Sequence, residues 1–305
     1  MVGGAVAAAY CAMSGRRLDT QCIGPRWRLK GQGKDVVREP LKIGLAGLGA
    51  VGLEVARRIE AGIPGLVLAA ISVRDAEKAR RNLPQAGGSI PVLAAEALAQ
   101  SCDLVVECLP PAMFRSVASS AIERGKLFMP LSVGQLLDHW DLVARAKATG
   151  ARILVPTGGL IGLDAVRAAA EGTIRSVTMI TRKPPNGLEG APYLVERGIS
   201  LVGLKEPRKV FNGTAREGAR GFPQNVNVAA ALSLAGIGPD KTHLEIWADP
   251  ALDRNTHRIE VDSDTARFSM SIANVPSENP RTGRIVALST VAALRGLVSE
   301  LKVGT

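Results

Sequence analysis

From residue 41 onward, short apolar runs alternate with amphipathic stretches. Short apolar runs bounded by turn residues are typical of buried strands, and apolar positions three or four residues apart are typical of helices. The apolar runs predict strands at 41–46, 66–73, 91–93, 103–108, 127–133 and 151–156. Because helical stretches, one of them over 136–148, separate these strands, residues 41–156 are expected to form a doubly wound parallel sheet, the α/β class.

After residue 156 the pattern changes to β-rich pieces with fewer helices. Strands are predicted at 174–181, 208–212, 243–248, 258–261 and 267–275, and helices at 163–170 and 228–234. These pieces predict a second, α+β domain over residues 157–283 that carries the substrate site and the catalytic groups. The last amphipathic stretch, residues 284–301, predicts a helix that returns to the first domain.

Residues 1–40 lack this periodicity. A run of small residues from Gly3 to Met13 precedes several arginines and lysines. A secretory signal carries its positive charge before the apolar region, whereas here the charge follows it. We expect either a disordered leader or a start codon assigned too far upstream.

Composition excludes several function classes. The chain has 305 residues, a formal net charge of +10 and 3% aromatic residues. Few aromatic side chains argue against a stacking platform for single-stranded nucleic acid, and the sequence has no helix-turn-helix or zinc-finger pattern. No apolar run is long enough to cross a bilayer. The positive charge is therefore expected to serve small anions rather than nucleic acid or a membrane.

The four cysteines give little sign of a special site. Cys11, Cys22, Cys102 and Cys108 form no CxxC pair. Neither a disulfide framework nor a metal centre is expected, and free thiols fit a reducing cytoplasm.

A glycine-rich turn follows the first predicted strand and opens the first predicted helix. It reads Gly47-Leu48-Gly49-Ala50-Val51-Gly52. In a Rossmann-type strand–turn–helix, the first glycine permits the tight turn, the second lets a pyrophosphate approach the backbone, and the third lets the helix pack on the sheet. Helix N–H groups then bind the phosphates. This context predicts dinucleotide binding by Gly47, Gly49, Ala50, Val51 and Gly52; a purely structural glycine turn is the alternative.

The end of the second predicted strand bears on the choice between NAD and NADP. An NAD site usually has an acidic residue there, on the ribose 2′-OH. Here Val73 stands at that position and Arg74 follows, placed to meet a 2′-phosphate. Arg74 is therefore a candidate cofactor-binding residue, and NAD or NADP is the expected cofactor. Alternatively, Asp75 caps the next helix and Arg74 is only a solvated charge.

Polar clusters bounded by proline and glycine supply the candidate chemistry of the second domain. Asn225 and Asn227 open a predicted helix; Asn225 is either its N-cap or a ligand contact. Asn227 carries an amide that can donate to and accept from a nicotinamide carboxamide. His257 is a candidate for proton transfer because the unperturbed pKa of histidine lies nearest neutrality, and a structural histidine is the alternative.

Six sequence blocks, in this order, resemble those of the L-aspartate dehydrogenase family over roughly residues 41–301. They are GLGAVG, PTGGLIGLDAV, TRKPP, FPQNVNVAAALSLAGIGPDKT, DPALDRNTHRIEV and NVPSENPRTGR. The resemblance implies an acid–base role for His257 and a dinucleotide contact for Asn227. It also implies a cofactor contact at Gly159, although the family usually has Ser-Gly-Ala-Ile-Gly-Gly where this chain has the turn from Thr157 to Gly162.

The same resemblance implies NAD(P)-dependent, reversible oxidative deamination of L-aspartate to iminosuccinate, which hydrolyses to oxaloacetate and ammonia. It further implies a cytoplasmic homodimer associated through the second domain, with a possible link to NAD biosynthesis. The two substrate carboxylates need cationic partners, for which Arg182, Lys183, Arg281 and Arg284 are candidates.

Two other functions stay open at this point. One is a related reductase, of the homoserine dehydrogenase or dihydrodipicolinate reductase type. The other is a non-catalytic dinucleotide-sensing protein, which the presence of His257 weakly disfavours.

If Arg74 binds the 2′-phosphate, Arg74→Ala should raise KM for NADP roughly 10-fold or more, because a hydrogen bond to a charged group contributes about 1.5–3 kcal/mol. KM for NAD should stay nearly constant. Steady-state kinetics with both cofactors measure this, with Arg80→Ala as the control from the next helix. Equal changes for the two cofactors would make Arg74 a bystander.

Overall fold

The computed structural model describes residues 39–83, 89–223, 226–277 and 282–304. Residues 1–38 of the expected leader, 1–40, lie outside these ranges, as do Asn225 and Arg281. Within them, the strands form two five-stranded sheets.

The first sheet is parallel throughout. Its strands are β1 (Leu41–Ala46), β2 (Leu66–Ser72), β3 (Leu104–Glu107), β4 (Leu127–Pro130) and β5 (Arg152–Ile153). Its helices are α1 (Ala50–Glu60), α2 (Ala76–Asn82), α3 (Leu98–Ser101), α4 (Phe114–Glu123), α5 (Gln135–Asp138) and α6 (Asp141–Thr149). The strand order is β2-β1-β3-β4-β5, so the winding direction reverses between β1 and β3. Ligands of such sheets bind at this reversal, beyond the carboxyl ends of the strands.

Burial explains why these strands read as nearly continuous apolar runs. Ile43, Leu45, Leu104 and Val106 have no exposed surface, since helices cover both faces of a parallel sheet. The predicted α/β class is confirmed.

Three local predictions for this region were wrong. The expected strand at 91–93 makes only one isolated bridge, from Val92 to Ile71. The single helix expected over 136–148 is broken into α5 and α6 at His139, whose ring stacks on Phe114 and contacts the Arg115 guanidinium at 3.1 Å. The strand expected over 151–156 is the edge strand β5, which is only two residues long and pairs with β4 through Arg152 and Ile153.

The second sheet is mixed, with strand order β10-β9-β6-β8-β7. Its strands are β6 (Ile174–Lys183), β7 (Arg208–Thr214), β8 (His243–Ala248), β9 (Asn255–Ser263) and β10 (Arg267–Asn274). Helices from the same part of the chain are α7 (Leu163–Ala170), α8 (Pro192–Glu196), α9 (Ala215–Gly221), α10 (Asn227–Ala235) and α11 (Ile285–Gly296). Only β6 and β8 are parallel neighbours; the other pairs are antiparallel.

Side chains alternate between the two faces of this sheet. Val177, Met179, Ile259 and Val261 are buried on one face and join the core that includes α7 and α10. The strand predicted at 258–261 is longer than expected and begins at Asn255. His257 therefore lies inside a strand rather than before one.

Helix α11 packs against α1. Its Ala287, Val291 and Leu294 belong to the same apolar cluster as Leu41 and Val55. The last helix thus completes one face of the first sheet and returns the chain to the dinucleotide turn. No helix in the described ranges is long and apolar enough to span a membrane.

Candidate active site

A cavity of about 460 Å³ lies where the carboxyl ends of β1 and β3 meet one end of the second sheet. The first domain contributes the glycine turn and the loops after β3 and β4. The second contributes Lys183, Asn227, Asn255, His257 and Asn274. Most of the sequence-predicted site residues therefore converge on one cavity.

The three glycines of the turn are glycine for different physical reasons. Gly47 has φ of +98°, and a Cβ there would lie 2.7 Å from the Cys108 carbonyl oxygen. A Cβ on Gly52 would lie 2.1 Å from the Gly47 carbonyl oxygen. A Cβ on Gly49 would meet nothing within 4 Å, yet Gly49 lines the cavity with Ala50 and Val51. Gly47 and Gly52 thus build the turn, and Gly49 leaves space for a ligand.

The N-terminus of α1 opens on this space. Gly49 is its N-cap and provides no side-chain capping bond, and the first turn has no acidic residue. Its N–H groups therefore suit a phosphate, as the sequence predicted.

Glu107, at the end of β3, ties two cavity loops together. Its buried carboxylate accepts from the Leu109 N–H at 2.8 Å, the Ser132 N–H at 3.1 Å and the Ser132 hydroxyl at 3.0 Å. Burial raises the pKa of Glu107, and these donors oppose the rise. Leu109 and Ser132 both line the cavity, so this carboxylate positions the loops after β3 and β4.

Three side chains occupy the polar end of the buried face of the second sheet. Thr181 and Lys183 are two residues apart on β6 and share that face, and His257 lies opposite Thr181 on β9. All three are 5% exposed or less. The Thr181 hydroxyl and the His257 Nδ1 are 3.2 Å apart.

His257 is a neutral imidazole at pH 7. Burial, and then the positive charge of Lys183, lower the pKa of His257 to about 3. A neutral imidazole can accept a proton, which is the protonation state a base requires.

Two asparagines of the second domain bind the backbone of loops that line the cavity. Asn227 Oδ1 accepts from the Gly134 N–H at 3.0 Å, which leaves its Nδ2 as a donor. Asn274 Nδ2 donates to the Gly159 carbonyl at 2.8 Å, and its buried Oδ1 has no partner among the described residues. Gly159 lines the cavity, where the resemblance placed it.

The basic residues that are candidates for binding the substrate carboxylates lie in different places. Lys183 lines the cavity, whereas Arg182 faces the other side of the sheet, over Trp247 and 3.5 Å from Asp249. Arg284 is exposed and donates to the Pro276 carbonyl. Arg281 lies outside the described residues.

Arg74 lies at the exposed end of β2 and does not line the cavity. The neighbouring Asp75 caps α2 by accepting from the Lys78 N–H at 2.8 Å. Its carboxylate is thus used by the helix, as the alternative interpretation of this stretch expected.

Two family models together cover most of the chain. Residues 47–156 match the NAD binding domain of homoserine dehydrogenase, and residues 164–297 match the C-terminal domain of aspartate dehydrogenase. The L-aspartate dehydrogenase of Bradyrhizobium diazoefficiens is 51% identical over 280 residues, which cover 92% of this chain and 99% of that protein.

This chain belongs to the L-aspartate dehydrogenase family.

Two more proteins support this membership and the fold. L-aspartate dehydrogenase 3 of Bordetella bronchiseptica is 49% identical over 88% of this chain and 99% of its own length. The crystal structure of aspartate dehydrogenase from Thermotoga maritima has a TM-score of 0.64, with 22% identity, over 87% of this chain and 99% of that one. The latter match concerns the fold alone. Family membership makes this chain an oxidoreductase with NAD or NADP as cofactor.

Three residues of the candidate site were not singled out by sequence reasoning: Glu107, Thr181 and Asn274. Glu107 gave a detectable signal, since a carboxylate inside the apolar run DLVVE is expensive to bury unless it has partners. Thr181 and Asn274 begin two of the quoted blocks, TRKPP and NVPSENPRTGR, but neither was singled out, because threonine and asparagine are ordinary residues in strands and turns.

The donor set does not suggest a metal. Across the described ranges, no cluster of three or more His, Cys, Asp or Glu side chains could hold an ion.

The turn geometry predicts opposite outcomes for two alanine variants. Gly52→Ala should lower the thermal midpoint, because its Cβ collides with backbone. Gly49→Ala should leave the midpoint unchanged and weaken dinucleotide binding at least about 10-fold, because its Cβ enters the space for the pyrophosphate. Thermal melts and fluorescence titration with NADH or NADPH measure both. Similar behaviour of the two variants would contradict these separate roles.

Proposed function

We propose that this enzyme oxidises L-aspartate to iminosuccinate with NAD or NADP, reversibly, and that water then converts the imine to oxaloacetate and ammonia. The observation that carries the proposal is the juxtaposition of His257 and Lys183 in a cavity shared with the glycine turn. His257 as a neutral base and Lys183 as a cation together suit an amino acid that has a second carboxylate.

The residues present fit a dinucleotide. Gly49, Ala50 and Val51 would hold the pyrophosphate at the start of α1, and Asn227 Nδ2 would donate to the carboxamide. A dinucleotide held there would supply the acceptor for the hydride from the aspartate Cα. The protein contributes mainly orientation of the two reactants, which lowers the entropic part of the barrier.

His257 takes a proton in this proposal. It accepts one from the substrate ammonium, which leaves the free amine from which hydride loss is favourable. After hydride transfer the imidazolium releases this proton to solvent, and the neutral ring can then take a proton from the water that attacks the imine. Burial lowers the pKa of His257 most and the charge of Lys183 lowers it further; a substrate carboxylate beside Lys183 offsets the second of these causes. Substrate binding therefore strengthens the base.

Lys183 is the proposed partner of a substrate carboxylate, because it is the described candidate that lines the cavity. Homodimer formation, cytoplasmic location and a role in NAD biosynthesis stay predictions from the family resemblance.

Homoserine dehydrogenase activity is the competing proposal, because the NAD binding domain of that enzyme matches residues 47–156. Absorbance at 340 nm with NAD or NADP, against a panel of L-aspartate, L-homoserine and other amino acids, separates the two. Reduction with L-homoserine and not L-aspartate would overturn the present proposal.

His257→Ala should lower kcat for L-aspartate by roughly 10²–10⁴-fold, the range for losing a general acid or base. Cofactor affinity should change little. His257→Asn should be nearly as slow, because an amide does not titrate near neutrality. In the wild type, kcat/KM should show no His257 limb near pH 6.5, since the pKa of His257 in the free enzyme is about 3. A destabilised variant with near-normal kcat would instead indicate a structural histidine.

Lys183→Met removes the charge and keeps the side-chain length. KM for L-aspartate should rise about 10- to 100-fold, as expected for the loss of a charge-assisted hydrogen bond. Arg182→Met is the matched control on the opposite face of β6; it should leave KM unchanged and lower stability slightly, because Asp249 loses a partner. Equal KM values for the two variants would remove Lys183 from the substrate site.

A further inference from the structure

The proposed base, His257, has one described hydrogen-bond partner, the hydroxyl of Thr181. The two residues are cross-strand neighbours in register, and Thr181 and His257 are 3% and 5% exposed. Directly opposed side chains on antiparallel strands lie close enough for contact without rearrangement. The register of the β6–β9 pairing therefore determines this contact.

This contact distinguishes the two ring nitrogens of His257. Nδ1 is engaged by Thr181, which leaves Nε2 as the nitrogen for exchange with a substrate. A neutral imidazole carries a single N–H, and the bond made by one nitrogen decides whether the other is a donor or an acceptor. An Nε2 that accepts a proton requires the hydrogen to be on Nδ1.

We propose that Thr181 is the positioning residue of this enzyme: its Oγ1 accepts the Nδ1–H of His257, which holds the ring in place and leaves the Nε2 lone pair directed to the substrate. This inference rests on the proposed function, because it acts through His257. After Nε2 takes a proton, both ring nitrogens carry hydrogen, and Nδ1–H still donates to the same oxygen. The one hydrogen bond thus serves the ring before and after proton transfer.

The partner of His257 Nδ1 is a hydroxyl and not a carboxylate, and this choice affects the charge of the ring. A carboxylate at this position would hold a positive imidazolium, whereas a hydroxyl carries no charge and adds none to the cavity. Thr181 therefore orients His257 while leaving it neutral beside Lys183. The proton affinity of His257 then depends on the charge of the bound substrate.

Three variants test the proposal: Thr181→Val, Thr181→Ser and His257→Asn. Valine keeps the shape and removes the hydroxyl, so kcat should fall roughly 10- to 100-fold, the range for losing the outer partner of a functional histidine. Cofactor affinity should stay nearly constant. Serine keeps the hydroxyl and should restore kcat to within about 3-fold of wild type. Equal losses in the valine and serine variants would indicate packing alone and overturn the proposal.

The double variant Thr181→Val/His257→Asn provides the sharper measurement. If Thr181 acts through His257, the valine substitution should lower kcat no further once His257 is replaced. A further 10-fold loss would overturn the proposal. Normal kcat in His257→Asn alone would remove His257 as the base and would overturn this proposal with it. Failure of the wild type to oxidise L-aspartate would instead refute the proposed function, which is a separate result.

Imidazole ¹⁵N shifts of the full chain give a readout that does not depend on turnover. The His257 signal, assigned by its disappearance in His257→Asn, should report the Nδ1–H tautomer in wild type. The Nε2–H tautomer in wild type would overturn the proposal even if Thr181→Val does not fold.

Discussion

The pairing of β6 with β9 holds the site together. Antiparallel register places Thr181 opposite His257, and the two-residue repeat of β6 places Lys183 next along the same face. This face is apolar through Met179 and Ile259 and becomes polar only at the end that meets the cavity. A slip of one residue in β6 would present Arg182 to the cavity in place of its neighbours, because strand side chains alternate.

These polar groups can be buried because nearly all of them have a hydrogen-bond partner. A buried hydroxyl or amide without a partner costs free energy, and a buried charge costs more. The Thr181 hydroxyl is hydrogen-bonded to His257, and the Glu107 carboxylate accepts hydrogen bonds from the loops after β3 and β4. Asn274 Oδ1 is the exception in the described chain, and it lies on a residue that lines the cavity. Exceptions of this kind are common at functional sites.

The site also depends on contacts between the two domains. Asn227 of the second domain binds the Gly134 backbone of the first, and α11, which follows the second sheet, packs on α1. The glycine turn and the second sheet therefore face each other across one cavity at a fixed spacing. Catalysis by orientation needs such a frame, since small displacements of reacting groups are expensive.

The sequence by itself determined the parallel sheet, the glycine turn and the candidacy of His257 and Asn227. Each of these rests on local information: alternating apolar runs, glycine spacing, or a specific block such as the one around His257. Tertiary structure decided which of the adjacent residues Arg182 and Lys183 enters the cavity, because that depends on which face of β6 the helices cover. It also decided the pairing of Thr181 with His257, since two positions that are 76 apart in the sequence leave no trace of register in the local pattern.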